Sequence, residues 1–246
     1  MRLSRVYVET PLAAGERAIL TGDAANHVAR VMRARVGDPL TLFDGRGGEY
    51  QAHVSELQGA KVIADVGEHQ AIERESSLDI TLLQGIARSD RMDAIVQKAT
   101  ELGVTRIVPV ATERSVVKLA REIAHRKHAH WLGVAIAACE QCGRNRLPEV
   151  AQPQTLADAI RTEASLPRQS ILLAPGGRIA LSAVAANEDP ITLLIGPEGG
   201  LAPTEVELAL QSGFVACRVG PRILRTETAS LAAIAALQAI AGDFLR

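Results

Sequence analysis

The stretch LLIGPEGGLAPTEVELA, residues 193–209, decides the fold. An apolar run stops at Gly196, a Pro-Glu-Gly-Gly corner follows, and the chain then reads as a helix from Pro203. Eleven residues further on the pattern half returns as GPRILRTETAS, residues 220–230. Two Gly-Pro corners, each after an apolar strand and each before a helix, place two loops at the carboxyl ends of strands. That is where open α/β sheets bind ligands. SILLAPGG (170–177) ends a third strand in the same way.

Working outward, strands alternate with helices from Leu78 to the end. LDITLLQGI (78–86) reads as a strand, then a helix that Ser89 could cap runs to Leu102 and stops at Gly103. RIVPV (106–110) is a strand and 121–142 a long helix, followed by a helix over 155–164 and the strand SILLAP. A short helix near 180–187, the strand ITLLI (191–195), the strand ACRVG (216–220) and a helix from about Thr228 to Phe244 complete the order. Strands apolar on both faces predict a parallel sheet covered on both sides. Thr226 or Thr228 could cap the last helix, whose SLAAIAALQAIA (230–241) is apolar nearly all round and so predicts burial, in part against a second subunit.

The first 70 residues have another rhythm. VYVE (6–9), LTLFD (40–44), EYQAHVSEL (49–57) and KVIADV (61–66) alternate between turns, which predicts antiparallel strands in a small barrel or a curled sheet. DAANHVARVMR (23–33) reads as a helix with Asp23 as its cap, and EHQAIERESS (68–77) as the linker.

Composition excludes several functions. Aromatic residues are 2% of the chain, too few for stacked platforms that grip single strands. No apolar run approaches the roughly 20 residues of a membrane span, and the start lacks the apolar segment of a secretory signal. With three cysteines, the expectation is a cytoplasmic protein without membrane contact. Neither a Walker loop nor a dinucleotide fingerprint is present; GRGGEY (45–50) lies between strands and reads as a hairpin turn. Cys139 and Cys142 form C-x-x-C without a second pair, so no metal site is expected; burial or a surface turn accounts for them. Net charge is −1, yet Arg114, Lys118, Arg121, Arg126, Lys127, Arg144 and Arg146 face only Glu122 and Glu140 over their span. That cluster fits either solvated helix faces or a phosphate-binding surface.

IGPEGGLAPTEVELA and VGPRILRTETASLAAIAALQ together resemble the ribosomal RNA small-subunit methyltransferase E family, 16S rRNA (uracil-N3)-methyltransferases of the SPOUT class. DAANHVARVMRARVGDPLTLFDGRGGEY, QKATELGV (97–104), TERS (112–115) and AIAACEQCGRNRLPEV (135–150) extend the resemblance over essentially the whole chain. It implies an α/β fold: a PUA-like RNA-binding β-barrel over 1–72, then a SPOUT methyltransferase domain over 78–246 whose parallel sheet ends in a C-terminal trefoil knot. It also implies S-adenosylmethionine as cofactor, a homodimer, and methylation at N3 of a uridine in the decoding region of 16S rRNA within the small ribosomal subunit.

Carried over by position, the cofactor site comprises Leu172, Leu173 and Ala174; Ile195, Gly196, Pro197, Glu198, Gly199 and Gly200; and Val219, Gly220, Ile223, Leu224, Arg225, Thr226 and Ala229. Uridine N3 carries a proton and is a poor nucleophile until it leaves, so a base or a cation that stabilises the uracil anion is expected. Arg225 is the candidate cation. Glu198 and Glu227 are candidate carboxylates, and each fits a capping or bracing role equally well. Arg2, Arg5, Arg30, Arg33, Arg144 and Arg146 are candidates for the RNA surface, and His125, His128 and His130 are expected as exposed helix positions.

Overall fold

A computed structural model describes residues 4–115, 121–184 and 189–245. The chain divides into two compact units, residues 1–75 with 139–147, and residues 76–138 with 148–246. A division at 72/78 puts 139–147 with the second domain; in the structure that segment groups with the first.

The first unit contains β1 (Ser4–Tyr7), β2 (Arg17–Leu20), α1 (Gly22–Asn26), β3 (Pro39–Phe43), β4 (Glu49–Gln58) and β5 (Lys61–Gln70). They form a sheet in the order β1-β3-β4-β5-β2. Alternation sets its faces: Ala52 and Val54 of β4 and Val62, Ala64 and Val66 of β5 are buried, while Gln51, His53 and Asp65 are exposed. Most pairs are antiparallel, as the short turns predict, but β1 runs parallel to β3. The intervening β2 and helical segment supply the long crossover that a parallel pair needs. The expected helix over 23–33 is α1 followed by a π-helical turn, His27–Val31, and its cap position is Thr21, without a side-chain cap bond, rather than Asp23.

In the second unit come β6 (Ile80–Gly85), α2 (Ser89–Glu101), β7 (Arg106–Ala111), α3 (Arg121–Cys142), β8 (Glu149–Val150), β9 (Gln154–Thr155) and α4 (Leu156–Ala164). β10 (Gln169–Leu173), β11 (Ile179–Ala180), α5 (Leu181–Val184), β12 (Ile191–Ile195), α6 (Pro203–Gln211), β13 (Val215–Arg218) and α7 (Thr226–Ala241) follow. The sheet is parallel, in the order β11-β13-β10-β12-β6-β7-β8, with β9 also on β7. Both faces are covered. Leu82 packs with Ile95, Trp131 and Ile234 on one side, and its neighbour Leu83 packs with Val108, Leu172 and Phe214 on the other.

Helix caps depart from the sequence reading. Ser89 is the first helical residue of α2, with Arg88 at the cap position. Arg225 holds that position for α7, and neither Thr226 nor Thr228 caps it. Thr155 does cap α4, accepting the Asp158 N–H at 3.1 Å. Among the described residues no helix is long and apolar enough to cross a membrane.

Candidate active site

The neighbouring strands β13, β10 and β12 end side by side, so the loops after them converge. After β12, the Gly200 N–H closes a turn onto the Pro197 carbonyl at 2.9 Å. Gly200 and Gly220 have φ of 67° and 66°, left-handed values that a side chain would strain. After β10, Ala174 donates to the Cys217 carbonyl, and Arg218 Nη1 clamps the loop by donating to the carbonyls of Gly177 (3.1 Å) and Arg178 (2.7 Å).

Between the loops lies a cavity of about 420 Å³, within the range of small-molecule sites. Leu172, Leu173 and Ala174 line it from the first loop, Ile195 to Gly200 from the second, and Val219, Gly220, Ile223, Leu224, Arg225, Thr226 and Ala229 from the third. All the residues carried over as cofactor contacts therefore share one cavity. Arg91, Leu201, Arg218 and Arg222 also line it. Arg91 was not legible in the sequence, because it reaches the site only through the pairing of β6 with β12, which no local pattern shows.

A buried polar chain fixes the corners. Thr226 Oγ1 donates to the Gly196 carbonyl at 2.7 Å and accepts from Gln84 Nε2 at 3.0 Å. Ser230 Oγ lies 2.6 Å from Gln84 Oε1 and donates to it. Gln84 and Ser230 are fully buried. β6, the first corner and the start of α7 are thereby one unit, because each broken link strands a buried polar group.

The charged candidates separate. Arg225 lines the cavity, is exposed, and has no ion-pair partner among the described residues. Glu198 also lines it, but its Oε1 accepts from the Arg88 N–H at 3.0 Å and lies 3.3 Å from Arg91 Nη1, so its observed role is to brace the loop against α2. Glu227 does not line the cavity; its Oε2 is buried without a partner in the first turn of α7. Cavity walls carry Arg91, Arg218, Arg222 and Arg225 against the single carboxylate of Glu198, an anion-attracting balance.

The RNA candidates are similarly sorted. Arg2 lies outside the described residues. Arg5 and Arg144 are not open surface: Arg5 is bonded to Glu49 and Asn145, and Arg144, 4% exposed, lies on Glu75 at 2.5 Å. Arg30, Arg33 and Arg146 are exposed, Arg33 with φ of 54°. Of the histidines, His128 is half-buried on the Val150 carbonyl, contrary to the expected exposure. Cys139, Cys142 and Cys217 are free thiols, and no group of metal-ligating side chains occurs among the described residues.

A parallel sheet with a cationic cavity at its strand ends defines a ligand-binding α/β protein, and its chemistry is given by kinship. Residues 74–238 match the RNA methyltransferase domain model and residues 20–66 the RNA methyltransferase PUA domain model. The chain is an RNA methyltransferase by that measure. It is 31% identical to the ribosomal RNA small subunit methyltransferase E of Buchnera aphidicola, over 98% of both chains. It superposes on the Neisseria gonorrhoeae ribosomal RNA small subunit methyltransferase E solved with S-adenosyl methionine (TM-score 0.90, 36% identity, 99% of this chain and 100% of that one). A Legionella pneumophila protein in complex with SAM gives a TM-score of 0.95 at 37% identity, covering 99% and 100%. The chain belongs to the ribosomal RNA small subunit methyltransferase E family.

Proposed function

We propose that the protein methylates N3 of a uridine in the decoding region of 16S rRNA within the small ribosomal subunit, with S-adenosylmethionine as donor. The observation that carries this is the convergence of three loops on one cavity. Its apolar floor of Leu172, Leu173, Ile195 and Leu224 suits a flat heterocycle. Its close-approaching backbone supplies amide partners, and its arginines suit a carboxylate. The residues present therefore fit the cofactor, which when bound supplies an electrophilic methyl group on a sulfonium.

The chain's part is to orient, to exclude water and to manage one charge. Once the N3 proton has passed to solvent, negative charge spreads over the uracil, and Arg225, which lines the cavity without an ion-pair partner among the described residues, stabilises that anion. Gln84, Thr226 and Ser230 keep the corners in register, and Glu198 braces the first. The trefoil-knotted C-terminus, the barrel curl of the first unit and cytoplasmic residence belong to the same reading. So does a homodimer, supported by apolar side chains left exposed around the C-terminal helix: Ile223 at 84%, Ile240 at 41%, Phe244 at 48% and Leu245 at 81%.

Methyl transfer from labelled S-adenosylmethionine to unmodified small subunits, naked 16S rRNA and tRNA tests the reading. The expected result is label in 16S rRNA, mapped as N3-methyluridine and lowered at least about 100-fold by Arg225→Ala. Absence of label on every RNA would overturn it.

A further inference from the structure

A second cleft, about 280 Å³, opens between α2 and α3. Ser89 and Asp93 line it, whereas Arg91 lines the cofactor cavity. Positions 89 and 93 share a helix face, and 91 lies about 200° round from 89. The two hollows therefore flank the same turn of α2, about one helix diameter, roughly 10 Å, apart.

The α3 wall of the cleft is Ile123, Arg126, Lys127, His130 and Trp131, one helix face by spacing. Such a face is ordinarily apolar; here Arg126, Lys127 and His130 interrupt it. Trp131 is 1% exposed and forms the floor. The Lys127 ammonium is held 5.3 Å from its ring centroid, a cation–π contact that positions the charge at the cleft. Asp93 is the acid in the lining, and His130 Nε2 holds it at 2.9 Å. Arg126 and Lys127 have no ion-pair partner among the described residues. Arg126 and Lys127 thus outweigh the one carboxylate of the lining, Asp93, and leave the cleft net positive around a preset geometry.

We infer that this cleft is a phosphodiester site, in which Arg126 and Lys127 hold a backbone phosphate of the RNA strand flanking the target nucleotide; the inference rests on the proposed function. Backbone rather than base is the chemistry offered. The Trp131 ring is buried and gives no stacking face, and paired cations read charge without sequence. A strand that delivers one base into the cofactor cavity past Arg91 would carry its next phosphates to the other side of that turn, where Ser89 and Asp93 line the cleft.

The test uses the full chain with Arg126→Ala, the Arg126→Ala/Lys127→Ala pair, and the conservative Arg126→Lys/Lys127→Arg pair. Binding of naked 16S rRNA is titrated against salt, KM and kcat are measured on unmodified small subunits, and S-adenosylhomocysteine affinity reports the integrity of the cofactor cavity. For the double alanine variant, the slope of log affinity against log salt should fall by about 1.5 and KM rise roughly tenfold, with kcat and S-adenosylhomocysteine affinity within about twofold of wild type. The conservative pair should restore the slope. An unchanged slope in both alanine variants, with cofactor affinity intact, overturns the site. Should the wild type methylate no RNA, the proposed function fails, and the salt slopes still decide the cleft by the same criterion. Exposed Arg126 is replaced alone so that a folded variant is available if the pair proves unstable.

Discussion

Gly85 is a glycine for want of space. A Cβ there would lie 2.5 Å from the backbone nitrogen and the Cδ of Pro197, so the first corner sits directly on the end of β6. Gly85→Ala should push that corner away and weaken S-adenosylhomocysteine binding at least about tenfold, at a stability cost of roughly 1–3 kcal/mol. Calorimetry checks the first and thermal melting the second; an unchanged affinity would show that the corner is positioned otherwise. Sequence reading singled out the glycines inside the corners but missed Gly85, because the contact joins residues more than a hundred positions apart. Glu198 and Arg225 were legible as cavity residues since they lie within the corner motifs. Their division of labour was not, because it depends on Arg88 and Arg91 reaching Glu198 across the fold. Glu227, a candidate carboxylate or capping residue in sequence, lies in the first turn of α7 and does not line the cavity.

At the scale of elements, α3 was read with its observed bounds, 121–142, but the fate of its last turn was not. Just past that turn lie Arg144 and Arg146, both RNA candidates in sequence; of the three residues there, Arg144 and its neighbour Asn145 are buried. In the first unit they instead join Arg5, Glu49, Arg74 and Glu75 in an ionic cluster. Burial alone would raise the Glu49 carboxyl pKa; hydrogen bonds from Arg5, Asn145 and Arg74 outweigh it and hold that pKa below its usual value. A depressed folded pKa means stability that is present above the unfolded pKa and lost as pH falls through the folded one. Glu49→Gln should therefore cost on the order of 3 kcal/mol at neutral pH, with the difference from wild type shrinking below about pH 4. Denaturation curves at pH 7 and pH 3 measure it, and an equal penalty at both would contradict the assignment. The C-x-x-C of the same turn is explained by burial: desolvation pushes the Cys139 thiol up to about 12, while Cys142 is half-buried. A disulfide-exchange reagent at pH 8 should modify Cys142 in the native protein and leave Cys139 until it is unfolded. Rapid native labelling of Cys139, read by mass spectrometry, would refute that placement.

For the whole molecule, the alternation of strands and helices was enough to predict the parallel sheet, because apolar runs such as ITLLI bury both faces. Strand order was beyond local patterning: β10, β12 and β13 become neighbours through long-range pairing, and that adjacency turns three separate loops into one cavity. The short β2, β8, β9 and β11 carry too few residues to show a period. Every functional role proposed for these residues depends on this cavity holding the methyl donor. A crystal structure of the protein with S-adenosylmethionine tests it most directly. The account predicts the cofactor between the loops 172–175, 196–200 and 219–225, with its carboxylate toward the cavity arginines; cofactor bound elsewhere, or none bound at millimolar concentration, would contradict it.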